Sequence, residues 1–268
     1  MSIEDIAQNL EKDLPNIITK IAYENNSFEY LKNPDFLEKR LLAWHQFGLL
    51  SHTKKVREIY KQEMPAIIKK WGLFDYIQSV LSDPIHGINK GTLFEISIPL
   101  HDLGKIVCKD DKSVNRKHEE SSAQLIFRPY IKKRLYAEGL KKEHIAYIFK
   151  CVLNHDALGK ELRDKLKHER KLSLDYLKKE NITPACIKLA IKYNEIKTEM
   201  GIFFLCDLLG KTDLRIEAIS EEGISKQETE IEKVLIKRNL PLQLKSAVLQ
   251  LPANLKLAEI YLREVSSF

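Results

Sequence analysis

The sequence predicts an all-α fold, and three observations support that prediction. Apolar residues recur at i, i+3, i+4 and i+7 along most of the 268-residue chain, which is the period of an amphipathic helix. The period-two alternation typical of half-buried strands is almost absent. The hydrophobic fraction of 44% allows a substantial core, and 10 glycines and 9 prolines are too few for a collagen-like or linker-rich chain.

The predicted helices follow one another along the chain, with short breaks between them. Asn33-Pro34 marks one break, and residues 82–87 read as a turn or loop because Pro and Gly fall there. Pro99 kinks a helix or starts a new one, and a polar segment over 109–117 precedes a helix that begins near His118. Periodicity predicts further helices over 3–24, 36–63, 141–155, 158–180, 184–197, 199–210, 222–239 and 242–264, and an interruption of the 36–63 helix at Gly48 stays open.

Composition and charge exclude several classes of protein. Lys plus Arg number 44 and Asp plus Glu 38, so the net charge is +6, which suits an anionic small molecule and requires neither nucleic acid nor membrane. The four cysteines form no CxxC pair, which argues against a structural zinc site and a disulfide framework. No signal peptide and no stretch of ~18 apolar residues is found. We expect a cytoplasmic protein with no membrane or nucleic-acid partner. The sequence leaves open whether the chain forms a homo-oligomer.

An adjacent histidine and aspartate provide the strongest chemical signal. His101 and Asp102 lie in the otherwise apolar stretch 98–105, where burying such a pair without a partner is costly. A divalent metal ion supplies that partner, because it accepts an imidazole nitrogen and a carboxylate oxygen together. The alternative interpretation is a helix that ends here, with Gly104 as its cap and His101 near the helix dipole.

Two more polar residues lie in apolar surroundings. His52 falls on the apolar stripe that contains Leu49 and Val56, so its ring is predicted to point inward. Asp207 lies in the apolar run 201–210, where a buried carboxylate needs a metal ion or a buried Lys or Arg. The alternative for Asp207 is an aspartate near solvent at a helix end.

The remaining histidines give weaker signals. His45 lies almost on the same stripe as His52 and is a rival ligand, although a partly buried histidine beside its neighbouring tryptophan is the favoured interpretation. His144 is predicted on the surface, in the first turn of its helix. His86 and His168 are predicted to face solvent.

The ordered set of His52, His101-Asp102 and Asp207 on an all-α chain resembles the HD-domain superfamily of metal-dependent phosphohydrolases. The similarity covers roughly residues 36–215 and includes the sequence Leu-His-Asp-Leu-Gly-Lys. It implies an HD-domain helical bundle over 36–215, an N-terminal helical extension over 1–35 and a C-terminal helical extension over 216–268 packed on the same core.

Two further histidines extend the resemblance to the binuclear H…HD…H…H…D branch. His118 opens the sequence His-Glu-Glu-Ser-Ser-Ala, and His155 closes a predicted helix. The double His and Gly-Tyr-Pro of the HD-GYP subfamily are absent from the sequence. The resemblance implies that His52, His101 and Asp207 hold one metal ion. It implies that His118 and His155 hold a second ion, and that the carboxylate of Asp102 bridges both.

The resemblance also implies an activity. Two divalent transition metal ions, from among Fe, Mn, Co and Ni, would generate a hydroxide that attacks a phosphoester of a nucleotide or related phosphorylated small molecule. Lys105 is a candidate to hold an anionic substrate group, or else a lysine favoured at a helix end. Two alternatives stay open: an HD-fold di-iron oxygenase acting on a small polar substrate, and a metal-binding signalling module without catalysis.

Overall fold

The computed structural model describes residues 5–108, 118–179, 182–214 and 224–267. These residues form fifteen α-helices and one two-stranded hairpin, so the predicted all-α class is confirmed. The polar segment predicted over 109–117 lies outside the described residues. The α-helices are α1 (Ile6–Glu24), α2 (Phe28–Lys32), α3 (Leu49–Gln62), α4 (Met64–Lys70), α5 (Phe74–Ser82), α6 (Lys90–Ser97), α7 (His118–Leu125), α8 (Pro129–Ala137), α9 (Lys142–Leu153), α10 (Asp164–His168), α11 (Leu174–Lys179), α12 (Thr183–Lys192), α13 (Lys197–Gly210), α14 (Ile224–Lys237) and α15 (Lys245–Ser266).

Shorter elements connect these helices. One π-helical turn spans Gly159–Arg163 and leads directly into α10. The hairpin strands are β1 (Pro84–Ile85) and β2 (Ile88–Asn89). The 3₁₀ segments are Lys39–Leu41, Ile98–Leu100, Leu103–Ile106, Asn194–Ile196 and Leu242–Leu244.

Helix α13 forms the centre of the core and positions one wall of the candidate site. Every residue from Thr198 to Gly210 is buried, and α13 packs against both α3 and α15. Gly210 allows α3 to come close, since a Cβ there would lie 2.6 Å from Cγ2 of Val56. The predicted helix 199–210 is therefore a buried central helix rather than a surface one.

The predicted helix over 36–63 is interrupted at Gly48, an alternative that the sequence left open, and it is wrong in its first half, where the structure has only the 3₁₀ segment Lys39–Leu41. Gly48 is extended, with φ −69° and ψ 176°, and α3 starts only at the following residue. Asp35 explains this start, because its carboxylate accepts hydrogen bonds from the backbone N–H and the hydroxyl of Ser51 at 2.7 Å and 2.5 Å. The predicted helix over 158–180 is also wrong as one element, because it is divided into the π-helical turn, α10 and α11.

The hairpin explains why His144 is not on the surface. His86 and Gly87 have φ values of 47° and 90°, which form the tight turn where the sequence predicts a loop. Nε2 of His144 donates to the carbonyl oxygen of Ile85 at 2.8 Å, and Nδ1 accepts from the backbone N–H of Lys141 at 3.0 Å. His144 is only 1% exposed, so the surface prediction is wrong, whereas His86 is exposed as expected.

The last two described helices form a small second cluster and then join the main core. Leu235 of α14 packs with Leu244 of the preceding 3₁₀ segment and with Val248 near the start of α15, and the rest of α15 lies along α13. The division into segments 1–35, 36–215 and 216–268 stays a prediction. None of the described helices combines the length and apolar character needed to span a lipid bilayer.

Candidate metal centre

Six side chains that the sequence predicts as ligands meet at one buried place. Each is 8% exposed or less. They come from α3, the turn between two 3₁₀ segments, the first residue of α7, the turn after α9, and α13. In chain order they are His52, His101, Asp102, His118, His155 and Asp207.

The first group of candidate ligands comprises His52, His101, Asp102 and Asp207, whose ligand atoms all lie within 4.8 Å of one another. Nε2 of His52 lies 3.0 Å from Oδ1 of Asp207 and 3.4 Å from Oδ2 of Asp102. Nε2 of His101 lies 3.2 Å from Oδ2 of Asp102 and 3.9 Å from Oδ1 of Asp207. Two imidazoles and two carboxylates at this spacing could hold a divalent metal ion.

The second group comprises Asp102, His118 and His155, with ligand atoms again within 4.8 Å of one another. Nε2 of His118 lies 3.2 Å from Oδ1 of Asp102, and Nε2 of His155 lies 3.7 Å from the same oxygen. The two Nε2 atoms are 3.3 Å apart. This group could hold a metal ion as well.

Asp102 belongs to both groups, and each of its carboxylate oxygens faces a different one. Oδ2 is the oxygen near His52 and His101, whereas Oδ1 is the oxygen near His118 and His155. A carboxylate presented in this way can bridge two cations.

The imidazoles are oriented by the ring nitrogen that points away from the cluster. Each Nδ1 lies near an oxygen: His52 at 3.1 Å from Gly210 O, His101 at 2.7 Å from Ile98 O, His155 at 2.7 Å from Val152 O, and His118 at 3.0 Å from Oε1 of Glu119. When Nδ1–H donates to that oxygen, the lone pair of Nε2 faces the cluster, as in many metal-binding histidines. Nε2 of His101 is buried and has no hydrogen-bond partner among the described residues, so the donor set fits a metal ion.

Both carboxylates of the cluster are held ionised. Burial raises the pKa of Asp102, but His101, in its protonated form, and the Lys105 ammonium outweigh it and hold that pKa well below its usual range. Burial also raises the pKa of Asp207, but Lys211, whose Nζ lies 2.9 Å from its Oδ2, outweighs this effect and holds the pKa of Asp207 well below its usual range. Asp207 is 7% exposed, so the alternative of a solvent-facing aspartate is wrong.

Two imidazoles are held neutral, which is the form that binds metal ions. Burial lowers the pKa of His155 to about 3, and the neighbouring His101 adds to this effect. Burial also lowers the pKa of His52, although Asp207 opposes it.

His45 lies beside the first group as a packing neighbour. Its ring meets that of His52 edge-on, with centroids 4.6 Å apart, and it is 6% exposed. Among the described residues, neither group of candidate ligands includes it. His45 is therefore more deeply buried than the sequence predicts, and His168, by contrast, is exposed as expected.

Close packing at Gly104 brings the second group together. Its backbone N–H donates to Oγ of Ser122 at 2.7 Å, which ties the 3₁₀ segment Leu103–Ile106 to α7. A Cβ at position 104 would lie 2.0 Å from the carbonyl oxygen of His118. Glycine thus permits the approach that places His118 against Asp102.

A cavity of about 630 Å³ opens onto the cluster, a size within the ~300–1,000 Å³ usual for small-molecule sites. Its wall includes Trp44 and four residues of α15. It also includes five cations, Lys105, Lys160, Arg163, Lys167 and Lys211, and four carboxylates, Asp102, Asp156, Asp164 and Asp207. The five cations outnumber the four carboxylates by one, which favours an anionic ligand.

Only one of these cations is predicted from the sequence. Lys105 is 8% exposed, and its Nζ lies 2.6 Å from Oδ2 of Asp102, which raises the pKa of Lys105 despite its burial. Sequence reasoning missed the other four. Lys211 could have been found, because it stands four residues after Asp207 on one helical face, and Lys160 follows closely after His155.

Comparison of the chain with family models, with curated proteins and with solved structures gave no match.

Proposed function

We propose that this chain is a metal-dependent phosphohydrolase of the HD-domain type. It would hold two divalent transition metal ions, Fe, Mn, Co or Ni, and hydrolyse a phosphoester of a nucleotide or related phosphorylated small molecule. The observation that carries the proposal is the pair of ligand groups sharing Asp102 at the base of a cationic cavity.

The residues of the first group would hold one ion and those of the second group the other, with Asp102 between them. Bound metal ions would polarise phosphoryl oxygens and lower the pKa of a water molecule. Glu119 would position His118, because Oε1 lies 3.0 Å from Nδ1 of that ring. The same oxygen lies 2.5 Å from Nζ of Lys160, so one carboxylate links a candidate ligand to the cavity wall.

The cations of the cavity wall would bind and orient the phosphate. Lys105 and Lys211 already face carboxylates of the cluster, at 2.6 Å from Asp102 and 2.9 Å from Asp207. With metal ions bound by those carboxylates, the two ammonium groups would become available to an incoming anion. Arg163 adds a planar guanidinium that can take two phosphate oxygens at once.

The proposal is tested by loading the protein with each of Fe, Mn, Co and Ni and measuring phosphate release from a panel of phosphoesters. We expect release with at least one metal, its loss on chelation, and its loss together with metal in Asp102→Ala. His118→Gln should lower metal content and turnover. His168→Gln is the matched control, since His168 is exposed on α10, and it should change neither.

Three results would contradict the proposal. Full phosphate release from Asp102→Ala would exclude a metal-dependent reaction at this centre. Oxygen consumption by the iron-loaded protein with a small polar substrate, without phosphate release, would favour the di-iron oxygenase. Metal binding without either activity would favour the signalling module.

A further inference from the structure

The five cations of the cavity wall differ in whether they face a carboxylate. Three of them pair with carboxylates in or beside the candidate metal centre, at 2.9 Å or less: Lys105, Lys160 and Lys211. Nε of Arg163 lies 2.8 Å from Oδ1 of Asp164. Lys167 is the exception, because within the part of the chain that the structure describes it forms no ion pair. It is therefore the wall's excess positive charge.

The surroundings of Lys167 favour an anion. Its exposed side chain lines the cavity from α10, and its Nζ lies 4.1 Å from the ring centroid of Trp44. An indole face attracts an ammonium group but brings no net counter-charge. Burial and Arg163, four residues earlier, lower the pKa of Lys167, although Asp164 opposes them. Since like charges at this helical spacing repel, an anion bound beside Lys167 would relieve the repulsion.

This place is separate from the metal centre. Lys160 pairs with Glu119, which in turn contacts the candidate ligand His118. Lys167 stands two helical turns after Lys160, so at about 1.5 Å per residue their backbones are roughly 10 Å apart. One phosphate group cannot span that separation. The cavity of about 630 Å³ has room for a longer ligand.

We infer that the ligand of this cavity carries two phosphate groups on separate atoms of its organic part, and that Lys167 binds the one farther from the metal centre. The inference rests on the proposed function only for the phosphate group at the metal centre. It gives Lys167 a binding role that selects the substrate and takes no part in bond cleavage.

The probes for the test are phosphonates, which are not cleaved, so that binding is measured without turnover. Propane-, hexane- and octane-α,ω-bisphosphonate are each compared with the monoalkylphosphonate of the same chain length, which lacks the second anion. Calorimetric titration gives the dissociation constants for the metal-loaded wild type and for Lys167→Gln. Lys165→Gln is the matched control, because it removes the same charge from the same helix, while Lys165 is exposed and absent from the cavity lining.

We expect the hexane or the octane bisphosphonate to bind the wild type about tenfold or more tightly than its monophosphonate counterpart. The propane compound is too short to reach both places and should show no such preference. Lys167→Gln should abolish the preference and leave the binding of the monophosphonates within about twofold, because these have no group near position 167. Lys165→Gln should keep the preference.

The inference is overturned if no bisphosphonate binds more tightly than its counterpart, if the propane compound shows the full preference, or if the preference survives in Lys167→Gln. Equal losses in Lys167→Gln and Lys165→Gln would also overturn it, since they would indicate attraction by overall charge. Its failure is distinct from that of the proposed function. Phosphate release without the preference would overturn the inference alone, whereas a preference that depends on Lys167, in a protein that releases no phosphate, would overturn only the hydrolase proposal.

Discussion

Replacing Gly104 with alanine tests whether the approach of α7 builds the second ligand group. The new Cβ would lie 2.0 Å from the carbonyl oxygen of His118, where ordinary contact begins near 3.4 Å, so the start of α7 must retreat by about 1.4 Å. His118 is the first residue of α7 and should move with it. Its Nε2, now 3.2 Å from Oδ1 of Asp102, would then be too far from that oxygen for the two atoms to bind the same metal ion.

Two consequences are expected from Gly104→Ala. Overpacking of this kind costs about 1–3 kcal/mol in the free energy of unfolding. A displacement of about 1 Å in a catalytic group costs roughly 100-fold in turnover. The ion of the second group should be lost, whereas the ion of the first group should stay, because His52, His101 and Asp207 do not belong to α7.

Metal stoichiometry by mass spectrometry, together with denaturant unfolding, measures both effects. Gly91→Ala is the matched control, since the nearest atom to its Cβ would be Cβ of Leu81 at 3.3 Å, a contact that a small shift relieves. We expect the control to keep its metal content. A Gly104→Ala protein with unchanged metal content, turnover and free energy of unfolding would refute the reasoning.

Lys105→Ala should keep its metal ions, because a protonated amine is no ligand, while the KM for the phosphoester rises and kcat changes little; metal analysis and steady-state kinetics check this. Burial raises the pKa of the Cys186 thiol to about 12, whereas an unfolded thiol ionises near pH ~8.5. The free energy of unfolding should therefore fall above pH ~8.5, by up to about 1.4 kcal/mol per pH unit from this residue, and less steeply in Cys186→Ala. Equal slopes in denaturant unfolding of the two proteins would contradict this. In Trp71→Phe the emission reports Trp44 alone, which lines the cavity with Nζ of Lys167 at 4.1 Å from its ring centroid. A phosphoester that binds Lys167 should move its Nζ from the ring of Trp44 and change that emission. An unchanged spectrum at a saturating concentration of the phosphoester would contradict a role of Lys167 in binding it.

The candidate ligands could be recognised in the sequence because burial of a polar side chain is visible locally. Asp207 stands in an apolar run, and His52 stands on an apolar stripe. A helical period places such residues inside, and the cost of a buried charge then demands a partner. That reasoning needs no knowledge of which helices meet, and the structure brings these side chains together.

Local periodicity failed where a tertiary contact decides the conformation. The start of α3 depends on Asp35, a residue 16 positions before the Ser51 that it binds. The ring of His144 is held in the interior by its hydrogen bond to the carbonyl oxygen of Ile85, a residue 59 positions earlier. Predictions from helical periodicity take account of neither of these two contacts.

The cationic wall could not be predicted for a related reason. Arg163 and Lys167 have the sequence context of solvated charges on a helix, and only packing aligns them with Lys211 at the end of α13. Asn254 is a similar case, because an asparagine within a helix gives no sign that it lines a cavity. Residues of the cavity wall are thus less visible in the sequence than the candidate ligands.

The two ligand groups close chain loops of very different length, which bears on the order of folding. His52 and Asp207 are 155 residues apart, whereas His118 and His155 are 37 apart. Loop-closure entropy makes the longer connection costlier by about 1 kcal/mol, and distant contacts form late. The second group can assemble while α3 and α13 are still separate. A metal ion held by the first group would act as a reversible cross-link between these two helices and would slow their opening, as a disulfide does, with its strength set by the metal supply.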